Sequence, residues 1–330
     1  MINLLGIHHV TAITSSAEKI YEFFTYTLGM RLVKKTVNQD DIQTYHLFFA
    51  DDKGSAGTDM TFFDFKNIQK ATHYNNEVSR TSFRVKSDKA LEYWLKRFKR
   101  LNVKHTQIEE HFGKKFIYFS DFDDQQYAIV SDEGHTGTPL GDAWNNGPVP
   151  NEFQLLGLGP IFFRVSRLDY MDEILKNVLG FEFKSKEGSL SLYEVNNASN
   201  GGSVILEFNQ ILPDSRQGFG GVHHVAFRVK DTSELMKSID VLNDMGYRNS
   251  GYVDRHYFES LYVRLYPSIL FEFATDGPGF IDGDETYENL GDTLALPPLY
   301  KDKRAYVEKV VRQFDTKRSD KVFEKELEWI

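Results

Sequence analysis

The stretch GIHHVTAIT, residues 6–14, returns near the end of the chain as GVHHVAFRV, residues 221–229. Both stretches alternate apolar with small or polar residues, which predicts a β-strand. Both also place two adjacent histidines at the same point of that strand. Such a match indicates an internal repeat, which largely decides the fold of a chain.

The repeated pattern occurs four times. Each copy has a first strand, an amphipathic helix, a short helix-ending motif and then further short strands. The first strands contain GIHHVTAIT, TSFRV, PIFFRV and HHVAFRV, and the helices are expected to end at Gly29, Asn102, Gly180 and Gly246. Glycine or asparagine at this place is typical of a helix that ends in the left-handed conformation. Each copy therefore predicts one βαβββ module.

Four βαβββ modules predict an α+β fold with helices on the outer faces of the sheets. One module cannot cover its inner sheet face, whereas two side by side form a cup-shaped half-barrel, so four form two cups. We predict a first domain over residues 1–136, a linker rich in glycine, proline and asparagine over 137–154, and a second domain over 155–280. A C-terminal tail, residues 281–330, is expected to wrap around the body.

Composition excludes several classes of function. The net charge of −9 argues against a nucleic-acid partner. The absence of cysteine excludes disulfides, thiolate metal sites and cysteine nucleophiles. No apolar run reaches membrane-spanning length and no secretory signal pattern is present, so we expect a cytoplasmic protein without a membrane partner. The oligomeric state stays open, because four modules can form both cups within one chain.

The alternation of side chains along a strand predicts which histidines face the inside of a cup. His9 and His224 hold equivalent places, each on the small and polar face of its strand. The preceding histidines, His8 and His223, fall on the opposite face and are expected in packing contacts, with hydrogen bonds to the backbone as a further expectation. A cup in which both modules contribute would bring His9 and His224 close together.

A carboxylate completes a set of three. In the strand ILFEFATD, Phe271 and Phe273 share one face and Glu272 faces the cup. An ionised carboxylate there is costly unless a cation or a metal pairs with it. Two imidazoles and one carboxylate form the set that holds non-haem iron and leaves positions open for substrate and O₂. We predict His9, His224 and Glu272 as ligands of Fe(2+), with Mn(2+) as the alternative metal.

The middle modules lack this set. The third module has Glu207, in VILEF, at what reads as the place of Glu272, but its first strand contains no histidine. The second module has neither residue type. Because the ligands come from the first and fourth modules, we predict that these two form one cup, and that the second and third form the other.

The chain resembles the vicinal-oxygen-chelate superfamily, which includes glyoxalase I, extradiol dioxygenases and bleomycin-resistance proteins. The match is carried by HVTAIT at His9, HVAFRV at His224 and LFEFATD at Glu272. GIHHVTAIT, GTDMTFFDF and the block from Asp254 to Phe280 are more closely similar to ring-cleaving dioxygenases linked to hydroquinone resistance in bacteria. The resemblance covers nearly the whole chain. It implies a cytoplasmic metal-dependent oxygenase whose partners are O₂ and a small hydroquinone- or catechol-like aromatic.

The same resemblance implies roles for residues around the metal. The extradiol signature runs from a histidine through a tyrosine to the metal glutamate. Tyr262 stands at the matching distance before Glu272, while His256 lies slightly closer to Tyr262 than the signature has it. His256 is accordingly the candidate for proton transfer, and Tyr262 for a hydrogen bond to the ligated oxygen. Substrate contacts are expected from three further side chains: Thr11, Phe62 and Arg228.

Two other classes of function remain. A glyoxalase-like lyase or isomerase would use two histidines and two carboxylates with Zn²⁺, Ni²⁺ or Mn²⁺. Its fourth ligand should come from DMTFFDF, where Phe62 offers none and only Asp59 and Asp64 flank the place. The third class is a metal-free protein that sequesters a drug or a quinone. The metal content of the purified protein separates this class from the other two.

Overall fold

The structure is a computed structural model, which describes residues 1–135, 137–282, 285–317 and 322–326. The predicted domain boundary at residue 136 and parts of the predicted tail lie outside the described residues. Among the described residues, no helix combines the length and the apolar character that crossing a bilayer requires.

The four predicted βαβββ modules are present. The first contains β1 (Gly6–Ile13), α1 (Ala17–Glu22), β2 (Arg31–Asn38), β3 (Asp41–Ala50) and β4 (Asp59–Phe63). The second contains β5 (Glu77–Val85), α2 (Asp88–Arg100), β6 (Glu109–His111), β7 (Lys114–Ser120) and β8 (Gln126–Ser131). The third contains β9 (Leu158–Val165), α3 (Leu168–Glu173), β10 (Glu182–Glu187), β11 (Leu190–Glu194) and β12 (Ser203–Phe208). The fourth contains β13 (Gly221–Arg228), α4 (Thr232–Asp244), β14 (Val253–Asp254), β15 (Phe258–Tyr266) and β16 (Ile269–Pro278), and α5 (Arg304–Val310) follows.

The helix ends agree with the sequence pattern. Helices α1 and α3 each continue as a π-helical turn, Phe23–Thr27 and Ile174–Val178. The residues after the helices adopt left-handed backbone, with φ of 70° at Gly29, 54° at Asn102, 71° at Gly180 and 78° at Gly246. This conformation reverses the chain and leads it into the next part of the module.

The modules assemble into two eight-stranded sheets. The first sheet has the order β14-β15-β16-β13-β1-β4-β3-β2, and the second has the order β10-β11-β12-β9-β5-β8-β7-β6. The central pairs, β1 with β13 and β5 with β9, are antiparallel. The first module therefore pairs with the fourth and the second with the third, which confirms the predicted pairing and the α+β fold of two cups. The sequence boundaries of the two domains stay a prediction.

The apolar residues of the described chain form a large shared core and smaller separate clusters. A large cluster joins residues of the first four helices to residues from both sheets, including Phe24, Trp94, Leu175 and Leu235. The inside of the second cup is filled by a separate apolar cluster: Phe116, Ala128, Val130, Phe162, Leu192 and Ile205. The inside of the first cup keeps a cavity.

The C-terminal segment lies along the first and second modules. Tyr45 donates a hydrogen bond to the carbonyl of Arg312 at 2.5 Å, and Lys35 donates to the carbonyl of Phe314 at 2.9 Å. Near the end of the described chain, Glu326 forms an ion pair with the buried Arg97 of α2. These contacts attach the segment to the strands and the helix that it crosses.

Candidate metal centre and its cavity

Three of the predicted residues converge at the bottom of the first cup. Oε2 of Glu272 lies 3.1 Å from Nε2 of His9 and 2.9 Å from Nε2 of His224, and the two nitrogens are 3.3 Å apart. The pairing of the strands explains the convergence, because Ala226 on β13 lies opposite His9 on one side and Glu272 on the other. Its methyl group leaves room for the longer side chains to meet. All three polar side chains are buried.

The three atoms fit a divalent metal ion. Oε2 of Glu272 is buried and accepts no hydrogen bond of acceptable geometry within the described part of the chain. Ligand atoms about 2.1 Å from a metal, on one face of an octahedron, lie about 3 Å from one another. The observed separations of 2.9 to 3.3 Å match that spacing. The arrangement is the two-histidine, one-carboxylate set predicted from the sequence.

The carboxylate of Glu272 is held in its ionised form. Burial raises its pKa, but the two imidazoles outweigh burial and hold the pKa of Glu272 well below its usual range. The second oxygen, Oε1, accepts a hydrogen bond of 2.5 Å from the hydroxyl of Ser260 on β15. This bond fixes the rotation of the carboxylate, so that Oε2 faces the two nitrogens.

A β-bulge brings the first histidine of each pair beside the second. The pairing between β1 and β13 skips His8 on one strand and His223 on the other. Nδ1 of His8 lies 2.9 Å from Nδ1 of His9, and Nδ1 of His223 lies 2.8 Å from Nδ1 of His224. Strict alternation predicts the opposite face, and this part of the expectation is corrected because a bulge redirects side chains. The expected backbone contact is present for His8, whose Nε2 lies 2.9 Å from the carbonyl oxygen of Thr275.

The contact with His8 determines the tautomer of His9. Nε2 of His8 lies 2.9 Å from the carbonyl oxygen of Thr275, which can only accept, so this nitrogen carries a proton. Burial, and then the charge of His9, lower the pKa of His8 to about 3, so the ring is neutral. Nδ1 of His8 must then accept from Nδ1–H of His9. In a neutral His9 this tautomer leaves Nε2 with a lone pair, which is the form that binds a metal.

The cluster opens into a cavity of about 450 Å³. This volume lies in the range typical of small-molecule sites. Six aromatic side chains line its walls: Phe48, Phe63, Phe65, Tyr257, Phe258 and Tyr262. Polar residues of the turn between β2 and β3, among them Gln39 and Asp40, line it together with Arg255. The lining suits a planar aromatic ligand that carries polar substituents.

Tyr262 lines this cavity next to the cluster, as the sequence predicts. Its ring centroid lies 5.8 Å from that of His224, and its hydroxyl accepts a hydrogen bond of 3.1 Å from Nε of Arg255. Arg255 is itself held by Asp40, at 2.9 and 3.3 Å. Because a guanidinium only donates, the hydroxyl of Tyr262 keeps its own proton, and Ser260 is a further hydrogen-bond partner of this hydroxyl.

His256 does not line the cavity. Its backbone is left-handed, with φ of 70°, and its Nε2 lies 3.4 Å from Oδ2 of Asp282. The neighbours on both sides, Arg255 and Tyr257, are cavity residues. His256 itself lies beside Asp282 and is absent from the cavity lining, so the cavity does not support its predicted role in proton transfer.

The three predicted substrate contacts also lie outside the cavity lining. Thr11 is buried below the floor, with its hydroxyl 2.7 Å from that of Thr61. Arg228, at the outer end of β13, forms a two-point ion pair with Asp276 at 2.8 and 2.5 Å. Phe62 belongs to the core and contacts Phe24 at 4.9 Å between centroids.

The register of β4 explains why Phe62 does not line the cavity. Thr61 lies opposite Thr11 in the parallel pair of β4 with β1. Thr61 and Phe63 therefore face the cup, and Phe62 faces the helices. Phe63 is the residue that lines the cavity, one position beyond the prediction.

The register of β4 also shows which residue stands where a glyoxalase-like site would have its second carboxylate. Thr61 lies opposite Thr11, as Glu272 lies opposite Ala226, so a threonine occupies the place of the metal glutamate in the first module. Within the described residues, neither Asp59 nor Asp64 joins the cluster of three. Asp64 accepts a hydrogen bond from the backbone of β3 instead.

His46 and Arg255 are among the polar residues of the cavity that sequence reasoning missed. His46 alternates with the core residues Tyr45 and Leu47 in TYHLFFAD, which marks it as facing the cup. Arg255 precedes a residue with left-handed backbone, and no periodic signal could place it.

A family model agrees with the geometry. Residues 6–130 and 157–279 match the model of the Glyoxalase/Bleomycin resistance protein/Dioxygenase superfamily. The chain belongs to this superfamily. The two matched segments each contain two of the βαβββ modules, and together they contain all three residues of the candidate metal centre.

Relatives in this superfamily cover most of the chain. It is 39% identical to a Bacillus subtilis protein named "Putative ring-cleaving dioxygenase MhqA", over 92% of this chain and 96% of the relative. It is 30% identical to the chlorohydroquinone/hydroquinone 1,2-dioxygenase of Sphingobium indicum, over 89% of this chain and 91% of the relative. A crystal structure from Bacillus subtilis, described as a "putative dioxygenase", superposes with a TM-score of 0.88 at 33% identity and covers 96% of this chain and 99% of its own.

Proposed function

We propose that this protein is a metal-dependent ring-cleaving dioxygenase that acts on hydroquinone- or catechol-like aromatics. We assign the metal to His9, His224 and Glu272, with Fe(2+) as the metal and Mn(2+) as the alternative. The proposal includes a role in detoxification or aromatic catabolism and the cytoplasmic location expected from the sequence. The names of the relatives support the reaction and the substrate class.

One observation carries the proposal. An unsatisfied carboxylate oxygen and two imidazole nitrogens, at 2.9 to 3.3 Å from one another, lie at the bottom of an aromatic-lined cavity. No second carboxylate joins them among the described residues. A set of three protein ligands leaves positions open on the cavity side for a diol and for O₂.

The chain's own residues supply binding and orientation. When bound, the metal acts as a Lewis acid that lowers the pKa of a ring hydroxyl and brings it together with O₂. The walls around Phe63 and Phe258 contact the faces of the ring and exclude water. The hydroxyl of Tyr262, fixed by Arg255, is positioned to donate to an oxygen of the substrate. In the reaction, both atoms of O₂ enter the product as a ring carbon–carbon bond breaks.

The two alternatives have less support. A glyoxalase-like reaction calls for a second carboxylate, and Thr61 stands at its place. A metal-free binding protein would not need His9, His224 and an ionised Glu272 together at the bottom of its cavity. Such an arrangement is costly in a buried site unless a cation occupies it.

The first test is metal analysis of anaerobically purified protein beside His224→Ala, together with O₂ uptake on adding hydroquinone or catechol. We expect about one iron or manganese per chain in the wild type and less than about a tenth of that in the variant. O₂ uptake should follow the metal. Bound zinc or nickel without O₂ uptake would favour the lyase or isomerase, and the absence of metal after reconstitution would contradict the proposal.

A further inference from the structure

Thr61 and Glu272 occupy equivalent places in the two halves of the first cup. Thr61 lies opposite Thr11, which follows His9 by two residues, and Glu272 lies opposite Ala226, which follows His224 by two residues. The first module thus contributes a hydroxyl where the fourth contributes the metal carboxylate.

The neighbouring strands repeat this correspondence. Ser260 on β15 lies opposite the second residue after Glu272, and His46 on β3 lies opposite the second residue after Thr61. The hydroxyl of Ser260 donates to Glu272 at 2.5 Å, and Nε2 of His46 lies 2.9 Å from the hydroxyl of Thr61. A carboxylate and a hydroxyl on one side of the cup are therefore replaced by a hydroxyl and an imidazole on the other.

His46 is held in place and borders the cavity. Its ring lies 4.0 Å from that of Phe48 and 4.4 Å from that of Phe63, between centroids. Its Nε2 is engaged by Thr61, whose hydroxyl is also 2.7 Å from that of Thr11. No hydrogen bond to Nδ1 of His46 is found within the described part of the chain, and the residue is outside the cluster of three metal ligands.

The imidazole of His46 is neutral at neutral pH. Burial, and then the charges of His9 and His224, hold its pKa well below the usual range. A neutral imidazole has one nitrogen that donates and one that accepts. When Nε2–H donates to Thr61, Nδ1 is the nitrogen that can accept a proton from a ligand in the cavity.

We propose that His46 is the catalytic residue that takes the proton from a ring hydroxyl of the substrate. The O–H bond breaks, the Nδ1–H bond forms and the electron pair stays on the oxygen, while Nε2–H keeps its hydrogen bond to Thr61. The proton then returns to an anionic oxygen of the ring-opened product, which restores the neutral imidazole. This proposal rests on the proposed function, and it gives His46 the role that the sequence indicates for His256.

The test compares His46→Gln with the matched control His105→Gln. His105 lies beside β7 of the second sheet, and its Nδ1 is 2.7 Å from the carbonyl of Val103. Glutamine can still donate to Thr61, but it cannot carry the proton. We expect His46→Gln to lower kcat with hydroquinone about 100-fold, at unchanged metal content and with the anaerobic Kd within about threefold. The control should match the wild type in all three measurements.

Thr61 supplies a second variant that acts through His46. Thr61→Val removes the partner of Nε2 and should lower kcat about tenfold at unchanged metal content, while Thr61→Ser should restore it. A kcat of His46→Gln within about threefold of wild type, or a loss of metal in proportion to activity, would overturn the proposal. If the wild-type protein holds metal but consumes no O₂ with any diol, the proposed function is wrong. The role proposed for His46 is then wrong as well.

Discussion

The insides of the two cups share a backbone arrangement and differ in the side chains placed on it. The pairing of β5 with β9 skips Ser79, just as the pairing of β1 with β13 skips His8. The residue after this bulge is Arg80 in the second cup and His9 in the first. Both cups therefore share this bulge. They differ in the residue that follows it, which is a candidate metal ligand in the first cup and an arginine in the second.

The two cups also differ in the size of the central residue between the strands that face each other. In the first cup, Ala226 lies between His9 and Glu272 across three neighbouring strands. In the second cup, the same row contains Phe162, which lies between Arg80 and Ile205. The alanine leaves space above it, whereas the phenylalanine fills the cup with its ring.

The carboxylates of the two cups also have different partners. Glu207 forms ion pairs with Arg80 at 3.3 Å and with Arg164 at 3.1 Å, so guanidinium groups satisfy its charge. It lies opposite Arg164, two positions beyond the true counterpart of Glu272, which corrects its reading as the equivalent residue. Oε2 of Glu272 lies beside the ring nitrogens of His9 and His224, and its Oε1 accepts a hydrogen bond from Ser260. Unlike Glu207, Glu272 has no guanidinium partner among the described residues, which favours its proposed role as a metal ligand.

The largest effect is expected from Glu272→Gln, with Glu207→Gln as its counterpart in the second cup. Loss of the negative charge should weaken metal binding by more than about 100-fold and abolish O₂ uptake, because two imidazoles and an amide hold a divalent ion poorly. Glu207→Gln should keep the wild-type metal content. Both variants are stripped of metal with a chelator and titrated with the metal ion to measure its affinity. Equal metal affinity in the two variants would contradict the assignment of the metal site to the first cup.

A smaller effect is expected from the hydroxyls that hold these carboxylates. Ser260 donates to Glu272 at 2.5 Å and Ser79 donates to Glu207 at 2.6 Å, so the two serines form a matched pair. Ser260→Ala should lower metal affinity about 10- to 100-fold, because the carboxylate loses its orientation. Ser79→Ala should leave metal affinity unchanged. A similar response of both variants in the same titration would mean that the bond to Ser260 does not orient the ligand.

The smallest effect on metal content is expected from Phe162→Ala, which should nevertheless lower the stability of the protein. Removal of the buried ring from the second cup should lower the free energy of unfolding by about 3–5 kcal/mol through loss of burial and the cavity left behind. Metal content and O₂ uptake should stay as in the wild type. Urea unfolding followed by circular dichroism measures the stability, and a coupled loss of metal would show that the second cup supports the first.

The fold was predictable because its signals are local and repeated. Helical spacing, the left-handed residues at Gly29 and Asn102 and the alternation in each strand all lie within a few residues of one another. The pairing of modules followed from the uneven distribution of His9, His224 and Glu272, which form a group only when the first and last modules meet. Their role as metal ligands stays a prediction that the geometry favours.

The errors came from features that depend on pairing between distant strands. Phe62 was assigned to the wrong face because the direction of each side chain in β4 depends on its register with β1. His8 and His223 were assigned to packing because a bulge exists only between two strands. His256 was chosen from a sequence signature, but its Nε2 lies beside Asp282 and the residue is absent from the cavity lining.

The sequence by itself determined the four βαβββ modules, the pairing that closes the first cup and the three residues that face into it, because alternation and repetition are properties of the chain alone. Only the tertiary structure decided which side chains surround these three. The row through Ala226, the hydroxyl of Thr61 at the place of a carboxylate and the position of His46 all depend on strand register. Register is set by contacts between residues far apart in the chain, and a shift by one residue reverses every side chain of a strand.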